Sequence, residues 1–140
     1  MIDSLEYLSL NEALQFVPAK PTVAISILSL RRTPATLHAE INPVLRLYFE
    51  DTVKGVDASG VGVFTEAQAR QIIDFIRLHH EQPEPRHLLI HCEAGISRSA
   101  AVAVFAASEC RLPLTGQFAF LNPAVLTTLV KLAYPHYAFD

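Results

Sequence analysis

The sequence is poor in cysteine: Cys92 and Cys110 are the only two among 140 residues. Two cysteines make no disulfide framework, which points to a reducing, cytoplasmic setting. No basic cluster is present either, and 11 Lys and Arg against 14 Asp and Glu leave a formal charge of −3. A nucleic-acid or anionic-membrane partner is therefore not expected. Long apolar runs are missing as well. The longest strongly apolar helical stretch, Ala100 to Ser108, is bounded by Arg98 and Glu109. A membrane span needs roughly 20 residues, so this stretch reads as a buried helix and no membrane partner is implied. The opening MIDSLEYLSL has neither the basic start nor the apolar run of a secretory signal. Repeats, linkers and low-complexity segments are absent. What is present is apolar: 51% of residues are hydrophobic, which argues against disorder. The length suits a single domain, residues 1–140, with one core.

Local patterns give the elements. Asn11 to Phe16 reads as a short helix ending before Pro18 and Pro21. Thr22 to Leu28 is β-branched and apolar, the mark of a buried strand. Arg31 to Ile41 reads as a loop, and the alternation from Val44 to Phe49 as a second strand. Glu50 to Gly62 gathers glycine and aspartate and reads as another loop. Thr65 and Gln68 form a capping box, and Ala69, Ile72, Ile73, Ile76 and His80 make one apolar helix face ending near His80. A strand from His87 to His91 follows, then a helix from Arg98 to Cys110. Asn122-Pro123 opens a last helix through Leu132. Strands separated by such helices imply an α/β fold of three layers, a mostly parallel central sheet flanked by helices. Ligands of such sheets bind beyond the C-terminal strand ends.

The turn HCEAGISRSA, residues 91–100, lies at one such end. A turn entering a helix presents unpaired N–H groups in a positive dipole field, and successive amides curled around one point hold an anion. Phosphate is the usual occupant. Gly95 permits the curl, Arg98 adds a planar fork for two phosphate oxygens, and Cys92 stands first in it. The field that holds phosphate also favours thiolate over thiol, and a thiolate beneath a phosphoryl group is a nucleophile aimed at phosphorus.

The run His91-Cys92-Glu93-Ala94-Gly95-Ile96-Ser97-Arg98-Ser99 matches the signature H-C-x-x-G-x-x-R-[S/T]. With it the chain resembles the cysteine-dependent protein tyrosine phosphatase superfamily, in the compact dual-specificity branch and its bacterial relatives. Only this nonapeptide is specific; the rest of the chain matches as an order of elements. The low-molecular-weight branch carries its cysteine near the N-terminus, unlike this chain. Lipid phosphatases often place lysines in the loop, where this chain has Glu93, Ala94, Ile96 and Ser97.

The resemblance implies a tyrosine-phosphatase-like fold and hydrolysis of phosphotyrosine, and also of phosphoserine or phosphothreonine, through a phosphocysteine. The partner would be a phosphorylated protein or a small phosphoester, and no metal or other cofactor is expected. Cys92 would be the nucleophile, Arg98 the phosphate clamp, and Ser99 the hydroxyl that stabilises the sulfur as it leaves. Glu93, Ala94, Gly95, Ile96 and Ser97 would offer backbone amides; the Glu93 carboxylate fits beside an anion only if it points outward. His91 would orient the loop, or be a simple core histidine. The general acid would be Asp51, where the loop leaves the sheet, with Asp57 as the alternative at the more usual separation. Asn122 would support the loop from the following helix, or be a plain N-cap. Arg111 to Leu121 is short where relatives usually carry a further helix.

Other features carry less. His79 and His80 read as solvated residues at a helix end. His87 and His91 lie roughly 13 Å apart on a strand, too far to share a zinc. Cys110 reads as core, with a resolving thiol as the alternative. Two rival functions stand beside the phosphatase: a pseudophosphatase that holds phosphorylated ligands but turns over poorly, and a rhodanese-like sulfurtransferase carrying a persulfide on Cys92.

Overall fold

The computed structural model describes residues 1–52 and 62–136. Its elements run β1 (Ile2–Leu8), α1 (Leu10–Gln15), β2 (Thr22–Leu28), β3 (Ile41–Tyr48), α2 (Glu66–Glu81), β4 (Arg86–His91), α3 (Arg98–Cys110) and α4 (Pro123–Ala133). The four strands form one sheet in the order β1-β4-β2-β3, and every neighbouring pair is parallel. The fold is α/β, a parallel sheet flanked by helices, as the alternation of strand and helix patterns implies.

The two faces of the sheet are covered unequally. Val23, Ile25 and Ile27 of β2 and Leu88 and Ile90 of β4 face α2, α3 and α4, which contribute Ile72, Ile73, Ile76, Phe105, Val125 and Leu129. Each fully buried isoleucine here contributes about 1.5–3 kcal/mol of transfer free energy. The alternate residues Ala24 and Leu89 face the other way, under Phe16 and Leu37. That layer is thin, made by α1 with its C-cap Phe16 and by the 29–40 connection. No helix among the described residues is long and apolar enough to cross a membrane.

Most expected elements appear within a residue or two, and β2 and α3 have the expected limits. Three features differ. The first residues form β1, an edge strand that the sequence pattern did not announce. β3 starts at Ile41, earlier than Val44, with Pro43 inside it; an edge strand tolerates proline because no partner needs its N–H. The buried histidine of α2 is His79, not His80: Arg86 Nη1 donates to His79 Nδ1 at 2.9 Å, and Phe75 packs on the ring at 4.5 Å. The expected solvation of His79 is thereby corrected. Residues 111–121 form turns and no helix, in keeping with their short length.

Candidate functional site

β4 is flanked on both sides, and its C-terminal end delivers His91 and Cys92 to the sheet's edge of chemistry. His91 is fully buried between two anchors. Its Nδ1 lies 3.1 Å from the Cys92 carbonyl and its Nε2 2.6 Å from Ser26 Oγ. A carbonyl only accepts, so Nδ1 carries the proton and Nε2 accepts from the Ser26 hydroxyl. Burial pushes the His91 pKa down, which keeps this neutral tautomer; the Cys92 carbonyl acts in the opposite sense.

The loop then curls away from β4 over a backbone bed. Cys92 N–H donates to Leu8 O at 3.3 Å, and Leu10 N–H donates to Glu93 O at 3.0 Å. Ser9 caps α1 with a reciprocal capping box to Glu12, so this bed is held in place. Gly95 has φ +75 and lies directly on it: a Cβ there would come 2.4 Å from Ser9 N and 2.7 Å from Leu8 C. Both the left-handed backbone and the close approach require glycine.

Cys92 is 1% exposed, at the floor of the loop. Gly95 N–H donates to its Sγ at 3.2 Å, and Ser99 Oγ lies 3.1 Å from it. The next helix, α3, begins here without a side-chain cap, and Ser97 Oγ donates to Asp51 Oδ1 at 2.8 Å. The first amides of α3 thus face the loop without a capping oxygen.

Arg98 is nearly buried. Its Nη1 donates to Phe49 O at 2.8 Å and to Ser29 Oγ at 3.2 Å. Its Nη2 lies 3.5 Å from Glu93 Oε2, and its Nε has no hydrogen-bond partner among the described residues. Nη1 is thus tied to the protein, Nη2 faces the Glu93 carboxylate, and Nε is buried without a partner. Glu93 does not meet the condition, an outward carboxylate, on which it would sit easily beside an anion. Its Oε1 accepts from Ser29 N–H at 3.0 Å, and both oxygens lie near arginines.

Asp51 follows β3 and is exposed. Its Oδ1 accepts from Ser97 Oγ and, at 2.7 Å, from Asn122 Nδ2. Asn122 is 3% exposed and also donates to Thr52 O, while its Oδ1 accepts from Val125 N–H. Asn122 N–H donates to Ser97 O at 3.2 Å. The structure therefore brings together Cys92, Glu93, Gly95, Ser97, Arg98, Ser99, His91, Asp51 and Asn122. Ala94 and Ile96 complete the loop, Ile96 with its side chain exposed. Asp57 lies outside the described residues.

Sequence reasoning passed over Ser29 and the Phe49 carbonyl, which hold Arg98. Their signal was positional: both follow the C-terminal ends of strands, where sites of parallel sheets assemble. Among the described residues no group of three or more His, Cys, Asp or Glu is placed to hold a metal ion. His87 binds Ser4 Oγ at 2.7 Å, lies 2.9 Å from Glu6 Oε2 and stacks on Phe16, away from the loop. No family model matches the chain, and no curated protein matches it.

Proposed function

We propose that the protein is a phosphatase of the cysteine-dependent tyrosine phosphatase type. It hydrolyses phosphotyrosine, and phosphoserine or phosphothreonine, in proteins or small esters, in a reducing compartment that leaves both thiols free. The observation that carries this reading is the unpartnered, buried Nε of Arg98 in the same loop as a sulfur held by Gly95 N–H and Ser99 Oγ. In the first step Cys92 Sγ attacks phosphorus and the ester P–O bond breaks. The departing oxygen takes a proton from the Asp51 carboxyl. Loop amides and the Nε–Nη2 side of Arg98 stabilise the equatorial oxygens. In the second step water attacks phosphorus, gives its proton to the Asp51 carboxylate, and the P–S bond breaks. Ser99 and Gly95 N–H then stabilise the leaving sulfur.

The test is hydrolysis of p-nitrophenyl phosphate in EDTA by wild type, Cys92→Ser and Asp51→Asn. Wild type turns over, Cys92→Ser does not, and Asp51→Asn loses about 10²–10⁴-fold, the usual contribution of a general acid. A folded wild type without turnover would overturn the proposal. Formation of a Cys92 persulfide from thiosulfate would then replace it with sulfur transfer.

A further inference from the structure

The carboxylate of Glu93 is out of place in a loop that receives dianions. It stands one residue after the sulfur, with Oε2 3.5 Å from Arg98 Nη2 and Oε1 3.9 Å from Arg32 Nε. Ser29 N–H fixes Oε1 from the end of β2. One carboxylate is thus shared between two arginines of different character. Arg98 is nearly buried and has its other contacts on Nη1, whereas Arg32 is half exposed and can follow the carboxylate.

We propose that Glu93 is a built-in counter-ion that occupies Arg98 in the empty loop and shifts to Arg32 when phosphate enters. The inference rests on the phosphate-binding reading of the loop. A phosphate on Arg98 needs Nε and Nη2 together, because Nη1 is already committed. Glu93 sits at Nη2, so anion binding must loosen that contact. Ser29 N–H and Arg32 are the partners that remain. Glu93 does not escape by taking up a proton. Burial alone would raise its pKa, but the Ser29 N–H, Arg98 and Arg32 more than offset this and hold it below the usual glutamate value. The device weakens the loop's grip on a phosphate dianion, so the product leaves readily. Glu93 is a positioning residue: it acts through Arg98.

The experiment is calorimetric titration with inorganic phosphate of wild type, Glu93→Gln, Arg32→Gln and the double variant, each checked for folding by thermal melting. Glutamine keeps the acceptor for Ser29 N–H and removes the charge. Glu93→Gln should bind phosphate about tenfold more tightly, as expected for removing one charge near a dianion at intermediate dielectric. Arg32→Gln should bind several-fold more weakly, and the double variant should lose most of that deficit, since Arg32 acts through Glu93. Unchanged or weaker binding by Glu93→Gln overturns the proposal. So does an Arg32→Gln deficit that persists undiminished in the Glu93→Gln background. If wild type binds no phosphate, the phosphate reading itself fails, a result separate from both.

Discussion

Replacing Gly95 with alanine adds one methyl group where the loop between β4 and α3 rests on β1 and α1. Two costs are separable. The φ of +75 is left-handed, and holding an L-residue there costs about 1–2 kcal/mol. The new Cβ would also lie 2.4 Å from Ser9 N and 2.8 Å from Ser9 Cα. Those atoms are backbone, pinned by the capping box and by two hydrogen bonds, Cys92 N–H to Leu8 O and Leu10 N–H to Glu93 O. Relief means separating loop from bed, which gives up those bonds at about 1 kcal/mol each. The sum is roughly 3–4 kcal/mol, a large part of a typical domain's 5–15 kcal/mol. A chain of this size should lose about 10 °C in Tm.

Gly62→Ala is the matched control. It has φ +80, but the nearest atoms its Cβ would meet are side-chain atoms, Glu50 Cγ at 2.8 Å and Leu30 Cδ1 at 3.2 Å. Those can turn aside, leaving the left-handed cost of about 1–2 kcal/mol. Thermal melting of both variants, with p-nitrophenyl phosphate turnover, checks the reasoning. Gly95→Ala should melt well below Gly62→Ala and lose turnover. Equal melting temperatures, or a Gly95→Ala protein with wild-type turnover, would refute the claim that the loop needs this contact.

Two further outcomes follow from buried titratable groups. Burial lowers the pKa of His79, His87 and His91, with Glu6 opposing at His87. Protons therefore bind the unfolded chain first. Stability is complete above the unfolded histidine value of about 6.5 and falls as pH drops toward the folded values, by up to about 1.4 kcal/mol per pH unit for each histidine. Urea midpoints should decline from pH 7 to pH 5; a flat profile would sink this account. Burial, with Glu109 adding to it, pushes the Cys110 thiol up to about 11, so it is inert at neutral pH. Cys110→Ala should keep full turnover with a modest loss of Tm, and loss of turnover would instead make it a functional thiol.

What was legible in the sequence was local. β2 shows itself through seven consecutive buried positions, and α2 through a capping box that forms as read, Thr65 Oγ1 accepting from Gln68 N–H at 3.1 Å. What was hidden has a common physical cause in the two edge strands. In β1 the register shifts between Ile2 and Ser4, so Ile2, Leu5 and Tyr7 face the core at a spacing of three and then two. In β3 the shift falls between Ile41 and Val44, at Asn42-Pro43. A bulge breaks the period of two on which strand recognition rests. The pattern of β1 therefore did not read as a strand, and that of β3 was picked up only after its bulge.

The site shows a different limit. Cysteine, glycine, arginine and serine were readable because they sit within one turn. The contacts of Glu93 with Ser29 and Arg32 cross more than sixty residues of sequence, and no local pattern carries them. Asn122 shows one side chain serving two neighbours that the sequence does not place together. As a plain N-cap it needs only an acceptor, and as a support it needs donors. Its amide has both: Oδ1 takes Val125 N–H, while Nδ2 gives one bond to Asp51 Oδ1 and one to Thr52 O. Cap and Asp51 anchor are thus one side chain using opposite ends, while the contact with the 92–98 loop is made by its main-chain N–H to Ser97 O. Asparagine serves there where serine or aspartate, equally good caps, would leave Asp51 without its amide donor.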